Sequence, residues 1–246
     1  KRELKEKIID VIQKKAHPLL QQYLKQPVKP LSGILFYGPA GTGKTYIAEK
    51  LAEELGLELI PLSLHTEGSP YMNETSKNIH KKFEAAIKSA PSILFIDEID
   101  SMAPDKNKGN LHQHKVDEVN TLLQLITDSQ KAGVIIIGAT NYIENIEGAI
   151  KSRLTEHIEI PLPNKEDRII FIQKALQSLI VEEGLGSIDY DNISELTDGW
   201  SNRDLVTRLK DPLKRKYKNM FDKLPDSCTE VPLVDTEFIV GLIPHV

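Results

Sequence analysis

The 246-residue chain is long enough for one large α/β domain and a smaller second one, with ample core for unassisted folding. A formal charge of −5 argues against broad nucleic-acid affinity, which needs a basic face, and a single cysteine, Cys228, excludes an internal disulfide framework and suits a reducing compartment. The first fifteen residues are thick with Lys, Arg and Glu, and apolar runs such as Val134–Ile137 are only strand-length; the reading is no signal peptide, no membrane span and a cytoplasmic protein.

Residues 1–30 and the run Arg208, Lys210, Lys214, Arg215, Lys216 and Lys218 are locally basic, a pattern read as solvated helix faces or subunit contacts. The first apolar strand, Ile34–Tyr37, runs into Gly38-Pro39-Ala40-Gly41-Thr42-Gly43-Lys44-Thr45. Glycines at 38, 41 and 43 let the backbone turn its N–H groups toward phosphates, Lys44 can reach the β and γ oxygens, and Thr45 can offer a hydroxyl to Mg²⁺. Ile47, Ala48, Leu51, Ala52 and Leu55 then recur at helical spacing, with Gly56 as the C-cap. A Gly-rich turn that binds nothing is the plainer alternative, and the order strand, loop, helix stands against it.

Further strands are expected at Leu57–Leu62, Ile93–Ile96, Val134–Ala139 and Ile158–Ile160, with helices at Thr45–Leu55, Ser76–Ser89, Val116–Thr127 and Ile146–Arg153 between them. This alternation predicts a mostly parallel sheet covered on both faces. The strand Ile93–Ile96 ends in Asp97-Glu98-Ile99-Asp100, so two adjacent carboxylates arrive at the carboxyl edge of the sheet. Asp97 is suited to hold Mg²⁺ through its water shell, and Glu98 to deprotonate the water that attacks the γ-phosphate. The next strand ends in Gly138-Ala139-Thr140-Asn141, whose amide can share that water or touch the γ-phosphate; alone it would be a turn asparagine.

After Pro161-Leu162-Pro163 the pattern becomes helical, with helices expected around Ile169–Leu179, Asp191–Leu196, Ser201–Leu209 and Asp235–Leu242. Asp211-Pro212 should kink or end the third, and Val231-Pro232-Leu233 suggests a brief edge strand. The expected organisation is a nucleotide-binding αβα domain over residues 1–162 and a small helical lid over 163–246.

Taken together these motifs resemble the AAA+ family, the ATPases associated with diverse activities. The likeness covers Ile34–Thr45 as Walker A, Ile93–Asp100 as Walker B, Gly138–Asn141 as sensor 1 and Gly148–Pro163 as the second region of homology. It implies the P-loop NTPase fold, ATP with Mg²⁺, and a homo-hexameric ring with nucleotide at subunit interfaces. Arg153 aligns with the arginine donated in trans, with a surface arginine capping a helix as the plainer alternative; many relatives carry two there, whereas Lys151, Ser152 and Glu156 surround the single one here. Arg203, in Gly199-Trp200-Ser201-Asn202-Arg203-Asp204-Leu205, stands at the sensor 2 position, with an ordinary solvated arginine behind a Ser201 N-cap as the even alternative. Tyr71-Met72 resembles the aromatic–aliphatic pair of pore loop 1, which grips a polypeptide substrate in translocating relatives; Asn73 stands where glycine is usual, and a tyrosine packed on its own loop is the alternative. A second channel loop is read at Asp105–His114, with His112 and His114 solvated and not metal-bound. The absence of an inserted Gly-Arg-Phe-Asp element is most like the katanin and spastin branch. The expected function is an ATP-driven protein-remodelling motor. The rivals are a nucleic-acid motor of clamp-loader type, which would need basic channel residues, and a nucleotide-dependent scaffold with weak turnover. An adaptor domain that selects substrates is expected to be absent, or removed from a longer protein.

Overall fold

The alternation of short β-branched and apolar runs with amphipathic helices produces a five-stranded parallel sheet. In the computed structural model, which describes residues 33–63, 72–103, 113–224 and 232–243, the strands are β1 (Gly33–Tyr37), β2 (Glu58–Leu62), β3 (Ser92–Ile96), β4 (Ile135–Thr140) and β5 (Glu156–Glu159). Their order is β2-β3-β4-β1-β5, and every pairing is parallel. Between them lie α1 (Lys44–Leu55), α2 (Met72–Lys88), α3 (Ile99–Met102), α4 (Gln113–Lys131) and α5 (Gly148–Lys151).

Strand pleating sorts the core into two layers. Ile34 and Phe36 of β1, Ile93 and Phe95 of β3 and Ile137 and Ala139 of β4 pack with Ile47, Ala48, Leu51 and Ala52 of α1. Leu35, Leu94, Ile96 and Ile136 face the other way, onto Phe83 and Ala86 of α2 and Val119, Leu122, Leu123 and Ile126 of α4. Phe36, Phe83 and Phe95 are essentially inaccessible, and truncating any one to alanine should cost about 3–5 kcal/mol. Helix α1 stops where expected: Gly56 takes φ 63°, its N–H bonds to Glu53 O, and Leu57 N–H bonds to Ala52 O.

Contacts divide the chain into two units, one comprising residues up to Gly38 with Lys44–Ile160, the other Pro39–Gly43 with Pro161–Val246. The second contains α6 (Lys165–Gln177), α7 (Tyr190–Leu196), α8 (Asn202–Asp204), α9 (Asp211–Phe221) and α10 (Thr236–Val240) around Ile172, Leu176, Ile193, Leu209, Leu213 and Ile239. Asn164, Asp189, Ser201 and Asp235 cap α6, α7, α8 and α10 through their side chains. Arg168 is buried within this unit; it donates to Pro163 O and Ser194 O and pairs with Asp198 at 2.9 Å, so its charge and donors are satisfied.

Several boundaries differ from the sequence reading. The helix starting near Ser201 does not end at Pro212: a π-helical stretch, Leu205–Lys210, carries the path into α9, with Asp211 N–H donating to Val206 O five residues back, and Pro212 falls at the start of α9 immediately after that irregular stretch. The expected strand at Val231–Leu233 is a single bridge, Leu185 to Val234, among the described residues, while Val231 lies outside them. The Ile146–Arg153 helix contracts to the four residues of α5, because Ile146 is extended and Glu147 is its N-cap. Helix α2 begins at Met72, four residues before Ser76, so Met72 belongs to a helix and not to the preceding loop. Tyr71, Cys228, His112 and the Asp105–His112 part of the second loop lie outside the described residues. No helix among the described residues is long and apolar enough to cross a membrane.

Candidate active site

Strand order decides which side chains meet. β4 lies between β1 and β3, with Tyr37 opposite Thr140 and Ile96 opposite Gly138, so residue 141 emerges between the loop that follows β1 and the carboxylates that follow β3. At this carboxyl edge Lys44, almost fully buried at the start of α1, donates from Nζ to Gly38 O at 2.8 Å and to Asn141 Oδ1 at 2.7 Å. The Thr45 hydroxyl lies 3.4 Å from Asp97 Oδ2. Four residues drawn from three separate motifs are thus joined through two side-chain pairs. Hydroxyl and carboxylate oxygens are the hard donors that suit Mg²⁺, which is commonly held by one or two protein oxygens together with phosphates, so Thr45 and Asp97 fit that ion.

Gly38 shows why this loop tolerates no side chain at its base. Its φ is 138°, and an added Cβ would stand 2.3 Å from Ile160 O. That close approach is fixed by the sheet, since Ile160 N–H donates to Tyr37 O at 2.7 Å.

Glu98, the residue after Asp97, adopts a left-handed conformation, φ 49° and ψ 48°, and is the non-glycine residue with positive φ among those described. Its neighbours hold the turn: Glu98 N–H donates to Asp97 Oδ1 at 3.0 Å, and Ser101 donates to Glu98 O from its N–H at 2.9 Å and its hydroxyl at 2.7 Å. Strained backbone of this kind gathers at functional positions. The sequence located the carboxylate but carried no signal for its backbone state.

In the second unit, Pro39 and Ala40 are exposed, while Thr42 is buried and its hydroxyl donates to Pro39 O at 3.0 Å. Asn202 Nδ2 donates to Thr42 O at 2.7 Å, and Arg203 N–H donates to Gly41 O at 3.1 Å. Gly41 takes φ 76°, and a Cβ there would meet Ser201 Oγ at 2.7 Å. The Arg203 side chain is exposed. Asn202 was not singled out from the sequence, where an asparagine after an N-cap serine looks like any first-turn residue. Asp204 closes the capping box with Ser201; the hydrogen bond from Ser201 Oγ pulls its carboxyl below the ordinary value against the opposing effect of burial, helped by the Ser201 N–H and by Arg208 and Arg203.

Arg153 does not join the residues at the carboxyl edge. It precedes β5 at the amino end of the sheet, where its carbonyl lies 2.4 Å from the place a Cβ on Gly33 would occupy; five residue rises along β1, about 16 Å, separate Gly33 from Gly38. Its guanidinium donates to Thr127 Oγ1 at 3.0 Å and to Ala149 O at 2.9 Å, and Gln130 holds its carbonyl.

Residues 34–162 match the family described as ATPase family associated with various cellular activities (AAA). The chain belongs to the AAA family of ATPases. It is 33% identical over 220 residues to a cell division cycle protein 48 homolog from Archaeoglobus fulgidus, covering 88% of this chain and 29% of that protein. It is 34% identical over 205 residues to a putative 26S proteasome regulatory subunit homolog from Methanothermobacter thermautotrophicus, covering 80% and 54%. A spastin homolog from Caenorhabditis elegans is 34% identical over 197 residues, 79% of this chain and 38% of the relative. The AAA chain therefore spans from under a third to about half the length of these relatives, and the spastin homolog among them accords with the branch resemblance read from the sequence.

Proposed function

We propose that this AAA chain hydrolyses ATP in an oligomeric ring and uses the cycle to remodel a protein substrate. The observation that carries the reading is the convergence of Lys44 on Asn141 and of Thr45 on Asp97 at one edge of the sheet. Lys44 would neutralise the β and γ oxygens, and the N–H groups of the Gly38–Lys44 loop would cradle the phosphates. Mg²⁺, held by Thr45 and reached from Asp97, would supply charge neutralisation between the β and γ phosphates. Glu98 takes a proton from water as the water oxygen bonds to the γ-phosphorus; the bond from that phosphorus to the β–γ bridging oxygen breaks, and its electron pair leaves with ADP. Asn141 orients the water or the γ-phosphate, a role consistent with its contact to Lys44.

Arg153 is proposed as the finger of a neighbouring copy. Its place at the amino edge, about 16 Å from Gly38, supports action in trans over action on its own chain. The likeness to spastin and proteasome regulatory subunit homologs supports a polypeptide substrate, with Tyr71-Met72 as the gripping pair, Arg203 as a γ-phosphate sensor and residues 163–246 as the lid. A hexamer and a cytoplasmic setting are part of the same proposal. Steady-state phosphate release with and without an unstructured polypeptide tests it. The parent should be stimulated, and Tyr71→Ala should keep basal turnover while losing the stimulation; equal stimulation of both would remove the motor reading and leave the ATPase.

A further inference from the structure

The residues Glu98 and Asn141 follow different strands, and a partly buried hydrogen bond between Thr140 and Asp100, in the helix that follows Glu98, ties the two segments together. Thr140, 1% exposed at the last position of β4, donates from Oγ1 to Asp100 Oδ1 at 2.7 Å. The same oxygen accepts the N–H of Tyr142 at 2.9 Å. Asn141 is thus bracketed: its predecessor is bound to Asp100 in the first turn of α3, its successor folds back onto that predecessor, and its own amide oxygen accepts from Lys44. On the other strand, Asp100 follows Glu98 across Ile99, which is fully buried, while Ser101 holds Glu98 O. A threonine hydroxyl has one proton to give, and here the carboxylate takes it while an N–H fills a lone pair.

We propose that Asp100 and Thr140 are a positioning pair for hydrolysis, setting the separation of the Glu98 and Asn141 turns so that both address one water and one γ-phosphate. The pair touches neither nucleotide nor water and acts through the two residues it carries. The inference rests on the reading of Glu98 and Asn141 as the hydrolytic residues. It goes beyond that reading by assigning a purpose to the third acidic residue of Asp97-Glu98-Ile99-Asp100, since neither metal holding nor proton transfer needs it. A displacement of a few tenths of an ångström to 1 Å at reacting groups costs up to about a hundredfold in rate, whereas phosphate binding by the loop and Lys44 is untouched by it.

The test uses the full chain and measures kcat and KM for ATP together with affinity for a fluorescent ADP analogue. Thr140→Val keeps volume and branching but removes the hydroxyl; it should lower kcat about tenfold or more, with KM and ADP affinity within about twofold of the parent. Asp100→Ala should do the same, and the double variant should be no slower than the slower single, because both remove one bond. Thr140→Ser, which restores the hydroxyl, and Asp100→Asn, whose amide oxygen still accepts, should stay within about threefold of the parent and serve if Asp100→Ala fails to fold. Parent kcat in Thr140→Val, an equal loss in Thr140→Ser, or strictly multiplicative losses in the double variant would each overturn the pairing. Glu98→Gln measured alongside separates the two levels: if it too turns over at the parent rate, the assignment of the base has failed, whereas an inactive Glu98→Gln beside a fully active Thr140→Val removes only the positioning pair.

Discussion

The left-handed Glu98 makes a prediction about stability that is independent of nucleotide. An L residue in this region costs about 1–2 kcal/mol, and asparagine, several-fold enriched there, recovers roughly 1 kcal/mol of that through local hydrogen bonding. Glu98 is half-buried, with φ 49° and ψ 48°. Replacing it by asparagine should therefore stabilise the fold by about 1 kcal/mol relative to glutamine, a change of about 2–4 °C in Tm for a chain of this size, while abolishing hydrolysis. Glycine also accepts the conformation but adds about 0.5–1 kcal/mol of unfolded-chain entropy, so Glu98→Gly should fall between the two. Alanine keeps the same backbone penalty as glutamine and should not gain on it. The assay is denaturant unfolding of the Gln, Asn, Gly and Ala variants without nucleotide, monitored by circular dichroism. An order with Asn highest, Gly next and Gln and Ala below supports strain stored at the turn after β3; an Asn variant no more stable than Gln would refute it.

Gly38→Ala should destabilise by more than about 1 kcal/mol and weaken nucleotide binding, because the methyl would press on Ile160 O from a φ of 138°; denaturant midpoints and ADP titration check both. Arg153→Ala should bind nucleotide normally yet lose about 10³-fold in assembly-dependent turnover, and mixing it with Glu98→Gln should restore activity above the sum of the separate variants, read as phosphate release from verified mixed rings. Asp204, whose carboxyl is lowered chiefly by the Ser201 hydroxyl, contributes stability that is present above its ordinary value of 3.8 and lost as pH falls through its lower folded value; the gap in denaturant midpoint between the parent and Asp204→Asn should be constant above 3.8 and narrow as pH falls from there through the folded value.

Much of the site was legible because its chemistry is local in sequence. The glycines and Lys44 of the Gly38–Thr45 loop are consecutive in the chain, and the apolar strands that deliver Asp97 and Asn141 are continuous runs bounded by polar turns. The alternation of these strands with one-faced helices announced a parallel sheet covered on both sides, which the two core layers bear out. What escaped depended on contacts between distant residues. The bond from Thr140 to Asp100 spans 40 positions, and Asn202 to Thr42 spans 160, so neither leaves a periodic trace. Arg168 reads as one more charged residue of a helix, yet its burial is made acceptable by Ser194, Pro163 and Asp198. The start of β5 was misplaced because this edge strand alternates half-buried and exposed residues, and the apolar cue fell on Ile158 and Ile160. At Pro212 the sequence left a kink or an end open, and the π-helical stretch that precedes the proline, which leaves no trace in the sequence, is what lets the helical path continue.

ATP hydrolysis with Glu98 as the base is the central proposal for this chain. Phosphate release at saturating ATP and Mg²⁺, with ATP affinity measured in parallel, should show turnover by the parent, and Lys44→Ala should lose binding itself. Glu98→Gln should bind ATP as the parent does but hydrolyse it at least about 10²-fold more slowly, because the amide keeps the shape and cannot take the proton. Turnover by Glu98→Gln at the parent rate would contradict the assignment.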